Sequence, residues 1–169
     1  EPECDETDRV SCCHLQIMMA AIHGCVEEVQ NRLANGESGN KRSAGGWNSL
    51  HAAVRNHGSV REKFLIMTML LESGVDVDAI DDSGRTVTSE VVRIASLPCY
   101  GKLETCELLL RWKPSLSREY DHRNNVPLMY YVLFGGFVDM VRLFIEYGAD
   151  IHIRIAKPHG YRLRLSDAE

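Results

Sequence analysis

Leu33-Ala34-Asn35-Gly36, Leu71-Glu72-Ser73-Gly74 and Ile145-Glu146-Tyr147-Gly148 each close an apolar run with one phrase: a branched apolar residue, two further residues, then glycine. A fourth copy, Leu110-Arg111-Trp112-Lys113, has lost the glycine. Leu33 to Leu71 is 38 residues, Leu71 to Leu110 is 39 and Leu110 to Ile145 is 35. A near-constant period in this range marks a stack of repeats, in which no unit buries its apolar face alone.

Every unit has the same internal order. A polar, glycine-containing turn leads into a short apolar helix, a break follows, and a longer helix ends at the anchor. In the second unit the turn Gly45-Gly46-Trp47-Asn48 precedes Ser49-Leu50-His51-Ala52-Ala53-Val54, and Phe64-Leu65-Ile66-Met67-Thr68-Met69-Leu70-Leu71 completes the unit after Gly58. In the fourth, Asp121 to Leu128 plays the part of turn and helix start, Gly135-Gly136 is the break, and Val138, Val141 and Ile145 recur at i, i+3 and i+7 on one helix face. Gly36, Gly74 and Gly148 stand where a helix ends in a left-handed residue. Pro127 falls at a helix start, where its missing N–H leaves no bond unmade.

These residues resemble a known family. Ser49-Leu50-His51-Ala52-Ala53 and Pro127-Leu128 are similar to the Thr-Pro-Leu-His-x-Ala-Ala helix start of ankyrin repeats, and Asp82-Ser83-Gly84-Arg85-Thr86 resembles the tip of their hairpin. Leu70 to Ala79 and Phe144 to His152 resemble the Leu-Leu-x-x-Gly-Ala-Asp-Val-Asn ending. The resemblance spans residues 15–153 and implies an all-α fold, an α-solenoid of about four ankyrin-like repeats with short β-hairpin or turn fingers. The units are 15–41, 42–80, 81–120 and 121–153. Residues 1–14 are expected to form a tail or cap, and 154–169, with His159-Gly160-Tyr161-Arg162 like a new hairpin start, a partial repeat or cap.

The units exceed the family period of about 33 residues. From anchor to next helix start the interval hardly changes: Leu33 to Asn48 is 15, Leu71 to Thr86 is 15 and Leu110 to Val126 is 16. The surplus therefore belongs between paired helices, around residues 55–63 and 96–102, where Leu97-Pro98-Cys99-Tyr100-Gly101 reads as a loop. In unit three, Val87-Thr88-Ser89-Glu90-Val91-Val92 replaces the family's helix start. Pro114 is expected to end that unit's second helix early.

A chain of 169 residues, 44% hydrophobic and 25% charged, is long enough to bury a core unaided. Its net charge of −5 argues against nucleic acid or an anionic membrane as partner. No apolar run reaches the ~18 residues of a membrane span. Cys4, Cys12, Cys13, Cys25, Cys99 and Cys106 show no CxxC pair and no framework spacing, and read as free thiols of a reducing compartment, cytoplasmic or nuclear. Cys25 and Cys106 fall within apolar helical patterns.

No enzyme and no cofactor or metal site is expected. Cys4 with Cys12-Cys13-His14 is the sole metal-like cluster, and its spacing fits zinc poorly. Glu27-Glu28, Asp76, Asp78 and Asp81-Asp82 read as solvent-facing carboxylates rather than acid–base pairs. At the position of His51 the resemblance implies an imidazole bound to backbone groups of the next unit; His57, His122, His152 and His159 read as solvated turn residues. What remains is surface recognition. The resemblance places candidate partner contacts at Trp47, Asp82, Ser83, Arg85, His122, Arg123 and Asn125 on the hairpin tips, and at Arg55, Asn56, Leu133 and Phe134 at the ends of first helices. For Phe134 and Tyr131 two readings stand, an exposed aromatic anchor or a core residue replacing the small Ala-Ala pair. The expected partner is a protein or peptide, basic by complementarity, with flanking domains compatible with the reading. An adaptor or scaffold is the first expectation, an enzyme inhibitor or regulatory subunit the second, and a thiol or metal sensor using the N-terminal cysteines the third.

Overall fold

The computed structural model describes residues 16–56, 58–93, 101–122 and 126–152. Four helix pairs follow in order: α1 (Ile17–His23) with α2 (Val26–Ala34), α3 (Ser49–Val54) with α4 (Val60–Glu72), α5 (Val87–Arg93) with α6 (Lys102–Trp112), and α7 (Leu128–Phe134) with α8 (Val138–Glu146). The first helices α1, α3, α5 and α7 pack in succession as one row, and the second helices α2, α4, α6 and α8 as another. The core lies between the two rows, and the first helices are buried most completely. Every residue of α3 is buried, as are residues 87–92 of α5. Leu50, Leu70, Leu71, Leu109, Leu110 and Leu128 are sealed from solvent, each contributing about 1.5–3 kcal/mol by burial. Unit three therefore forms its first helix without the family motif. Four valine and threonine side chains at buried positions supply the apolar face, and tertiary contact overrides the weaker local signal.

The repeated glycines adopt the left-handed conformation anticipated for them, at φ 79° for Gly36, 80° for Gly74 and 85° for Gly148. Local caps fix two helix starts. Asn48 accepts from the His51 N–H at 3.2 Å and Ser59 accepts from the Glu62 N–H at 3.2 Å, each helix residue returning an acceptor to the cap's own N–H. Between the paired helices of unit two lie residues 55–59, and α4, at 13 residues, is longer than the nine of α2 and α8. The surplus length is thus partly a longer break and partly an added helical turn over residues 60–63. The loop reading of residues 97–100 lies outside the described residues, as do the tail, the C-terminal stretch and Cys4, Cys12, Cys13, His14, His57 and His159. Cys106 is a free thiol buried in α6, and Cys25 precedes α2 rather than lying within a helix.

Two further expectations change. Helix α6 is not cut short: it runs to Trp112, two residues past its anchor, because Pro114 opens a separate 3-10 turn, Pro114–Arg118, where its lack of an N–H costs nothing. In α8 the core takes Met140 and Phe144, whereas Val138 and Ile145 are exposed. Val141 of the expected face still packs, half-buried, against the core.

The fingers between units share one turn. Ser43 donates to the Trp47 carbonyl and Asp81 to the Arg85 carbonyl, each at 2.8 Å. In unit four this becomes a two-stranded antiparallel ribbon, β1 (Tyr120–Asp121) with β2 (Val126–Pro127), Tyr120 opposite Pro127 and Asp121 opposite Val126. Adjacent fingers touch through backbone: Asp82 N–H donates to the Gly45 carbonyl at 3.1 Å. A Cβ on Gly46 would come within 2.7 Å of the Asp82 nitrogen, so this approach requires glycine.

Candidate functional site

The tips and first helices of units two and three bring several sequence-named residues together. Trp47, half-buried, donates from Nε1 to Asp81 Oδ2 at 3.2 Å. The Arg55 guanidinium lies 4.4 Å from the Trp47 ring centre and pairs with Glu90, its Nε at 2.7 Å from Oε1. Arg85 reaches the other Glu90 oxygen at 3.4 Å. Glu90 is buried, so both arginines are held by a carboxylate that would be costly to leave unpaired. Asp81 is fixed in turn by the Ser83 and Arg85 N–H groups, each at 2.8 Å. Its predicted solvent-facing role is corrected here: Asp81 is buried, because its carboxylate completes the finger turn while accepting from Trp47. Asp82 and Ser83 are exposed beside it.

One unit further on, the same three chemistries recur. Arg93, at the helix position matching Arg55, pairs with Asp121 at 3.2 Å, which matches Asp81 in the finger. The Tyr131 hydroxyl donates to the same Asp121 oxygen at 3.0 Å, and Arg93 lies 5.9 Å from the Tyr131 ring centre. Here the aromatic ring comes from the following helix instead of the preceding tip. Tyr131 is half-buried against the core and meets Tyr130 edge-on at 5.7 Å, so it joins packing and polar cluster at once. His122 and Leu133 are exposed next to this cluster.

Asn56 moves out of the candidate surface. It is buried, donating to the Ala21 carbonyl at 3.0 Å and accepting from the Gly58 N–H, so its amide ties unit two to unit one and has no face left for a partner. Trp47 is less outward-facing than a finger tip suggests, because Asp81 draws its indole inward. Arg123, Asn125 and the Phe134 side chain lie outside the described residues. Glu90, Arg93 and Asp121 went unnoticed at sequence level. The available signal was Glu90 itself, an acid in a run of buried valines.

His51 behaves as the resemblance implies: Nε2 lies 3.1 Å from the Arg85 carbonyl and must donate to it, leaving Nδ1 to accept from Asn48. Burial, the larger influence, lowers its pKa below the ordinary 6.5. Glu119, one finger on, accepts from the Thr86 hydroxyl at 3.0 Å, and burial pushes its carboxyl up to about 7. Among the described residues no group of three or more His, Cys, Asp or Glu could hold a metal, and no helix is long and apolar enough to cross a membrane.

Paired helices in two rows, joined by fingers that bond to one another, define a stacked-repeat protein. The family model for the ankyrin repeat matches residues 45–82 and 123–155, so the chain carries ankyrin repeats at these two positions. Such repeats are generally protein–protein interaction modules and typically not enzymes. No curated protein matches the chain.

Proposed function

We propose that this chain is an adaptor that holds a protein or peptide partner against its fingers and first helices. The observation that carries the reading is the arginine–aromatic–aspartate cluster repeated at two successive unit interfaces, Arg55 with Trp47 and Asp81, then Arg93 with Tyr131 and Asp121. Trp, Tyr and Arg are the residues on which interface affinity most often concentrates. Here they are held in place before a partner arrives, so little side-chain entropy is lost on docking. Exposed Asp82 and the net charge of −5 favour a basic partner segment, and a site inside the cell fits the free thiols. Affinity purification with the full chain from native extract would identify the partner, and calorimetry on the pair would test the surface. Trp47→Ala is expected to weaken binding by about 2 kcal/mol, roughly thirtyfold. Glu27→Ala, on α2, should leave affinity unchanged. Equal affinity for parent and Trp47→Ala would remove the site from this face. A captured enzyme that loses activity on titration would move the role from adaptor to inhibitor.

A further inference from the structure

The second-helix row carries a feature remote from the fingers. Between α4 and α6 runs an open groove of about 720 Å³, floored by Val60, Phe64, Thr68, Leu108 and Trp112, with Phe64 43% and Trp112 49% exposed. The two helices run side by side from matched ends, since a Cβ on Gly101, just before α6, would meet Val60 at 2.7 Å. They are the longest in the stack, and Val60, Arg61 and Trp112 belong to the turns that the nine-residue helices α2 and α8 lack. The extra length of units two and three thus adds Val60, Arg61 and Trp112 to this surface. Large exposed apolar side chains that line one groove signal an interaction site.

The charges along the groove say what fits it. On α6, Glu104, Glu107, Leu108 and Arg111 recur at i, i+3, i+4 and i+7, one stripe that is acidic towards its N-terminal end and basic at its C-terminal end. Glu107 and Arg111 form an i, i+4 pair at 4.0 Å, while Glu104 and Arg61 make no ion pair among the described residues. Two arginines and two glutamates leave the face neutral on a chain of net charge −5, so it is a place where two copies approach without mutual repulsion. Turned end for end, the stripe complements itself: about a two-fold axis near residues 107 and 108, Glu104 of each copy faces Arg111 of the other.

We propose that the α4–α6 groove is a self-association surface, occupied by the same groove of a second copy in antiparallel register. Analytical ultracentrifugation of the full chain across the micromolar range tests this. A monomer–dimer equilibrium weakened by salt is expected. Glu104→Lys and Arg111→Glu should each weaken self-association by about tenfold or more through two like-charge contacts, and mixing the two variants should restore a heterodimer, because both contacts become attractive. Trp112→Ala should also weaken association. All three side chains are exposed, so melting temperatures should stay close to the parent's. A chain that stays monomeric throughout, a dimer indifferent to these substitutions, or a mixture that fails to recover would each overturn the proposal.

Discussion

The imidazole of His51 and the carboxyl of Glu119 sit at successive finger interfaces, and burial acts on them in opposite senses. For His51 the neutral ring is the bonded form, so its stabilisation is complete above the ordinary pKa of 6.5 and is lost as pH falls through its lowered value in the fold. For Glu119 the protonated carboxyl is favoured, so its contribution is complete below 4.5 and is lost as pH rises through about 7. Glu119→Gln keeps an acceptor for Thr86 and cannot ionise. It should raise stability at pH 8 by roughly 1–3 kcal/mol, after allowance for partial solvent screening, and add nothing at pH 4.5; urea denaturation at both pH values checks this. His51→Ala leaves the Arg85 carbonyl without its donor and should cost roughly 1–3 kcal/mol at neutral pH, read from the same titration. Both effects fall on contacts between units, which is where a stack of repeats is held together.

Helix α4 shows how a single element serves two surfaces. Its Ile66, Met67, Leu70 and Leu71 are buried, and its Arg61 and Phe64 stand in the groove. Leu71→Ala empties a fully buried site with neighbours on both sides and is expected to cost about 2–5 kcal/mol, measured by denaturant midpoint. A change under ~0.5 kcal/mol would mean that the interior is not where the burial pattern puts it. At the other end of the helix, Ser59→Ala removes the acceptor for the Glu62 N–H and should cost about 1 kcal/mol. The added turn at residues 60–63 makes this cap matter more here than in α2, whose cap residue Cys25 makes no side-chain capping bond.

On the scale of the whole molecule, the described helices pack mainly on those of the same and adjacent units, and most polar ties between units join residues about one period apart. Asn40 bonds the loop at Gly74 and Asp76, Asn48 bonds Asp76, and Ser117 and Arg118 bond the turn at Tyr147 and Gly148. Stability in such an array is a sum of unit and interface terms. Native-state hydrogen exchange should therefore be slowest in α3 to α6, which have neighbours on both sides, and faster in α1, α2, α7 and α8. Uniform protection from end to end would contradict that gradient.

The sequence by itself determined the architecture, because the period, the glycines after each anchor and the apolar spacing are local requirements of helix formation and capping. The anchor Leu71, the left-handed Gly74 and the interfacial His51 were all legible there. Tertiary structure alone decided which charged residues serve the surface and which serve the stack. Asp81 lies on the same turn as exposed Asp82 and Ser83, and Asn56 follows half-buried Arg55, yet both are buried, since their partners, Trp47 and Ala21, lie 34 and 35 residues away. The clusters joining Arg55 to Glu90 and Arg93 to Asp121 likewise pair side chains from different units, at separations set by how far each unit is turned and shifted on the next. The groove between α4 and α6 belongs to the same class. A spacing of i, i+4 names one helix face, and only the packing of two helices shows that such a face is left open.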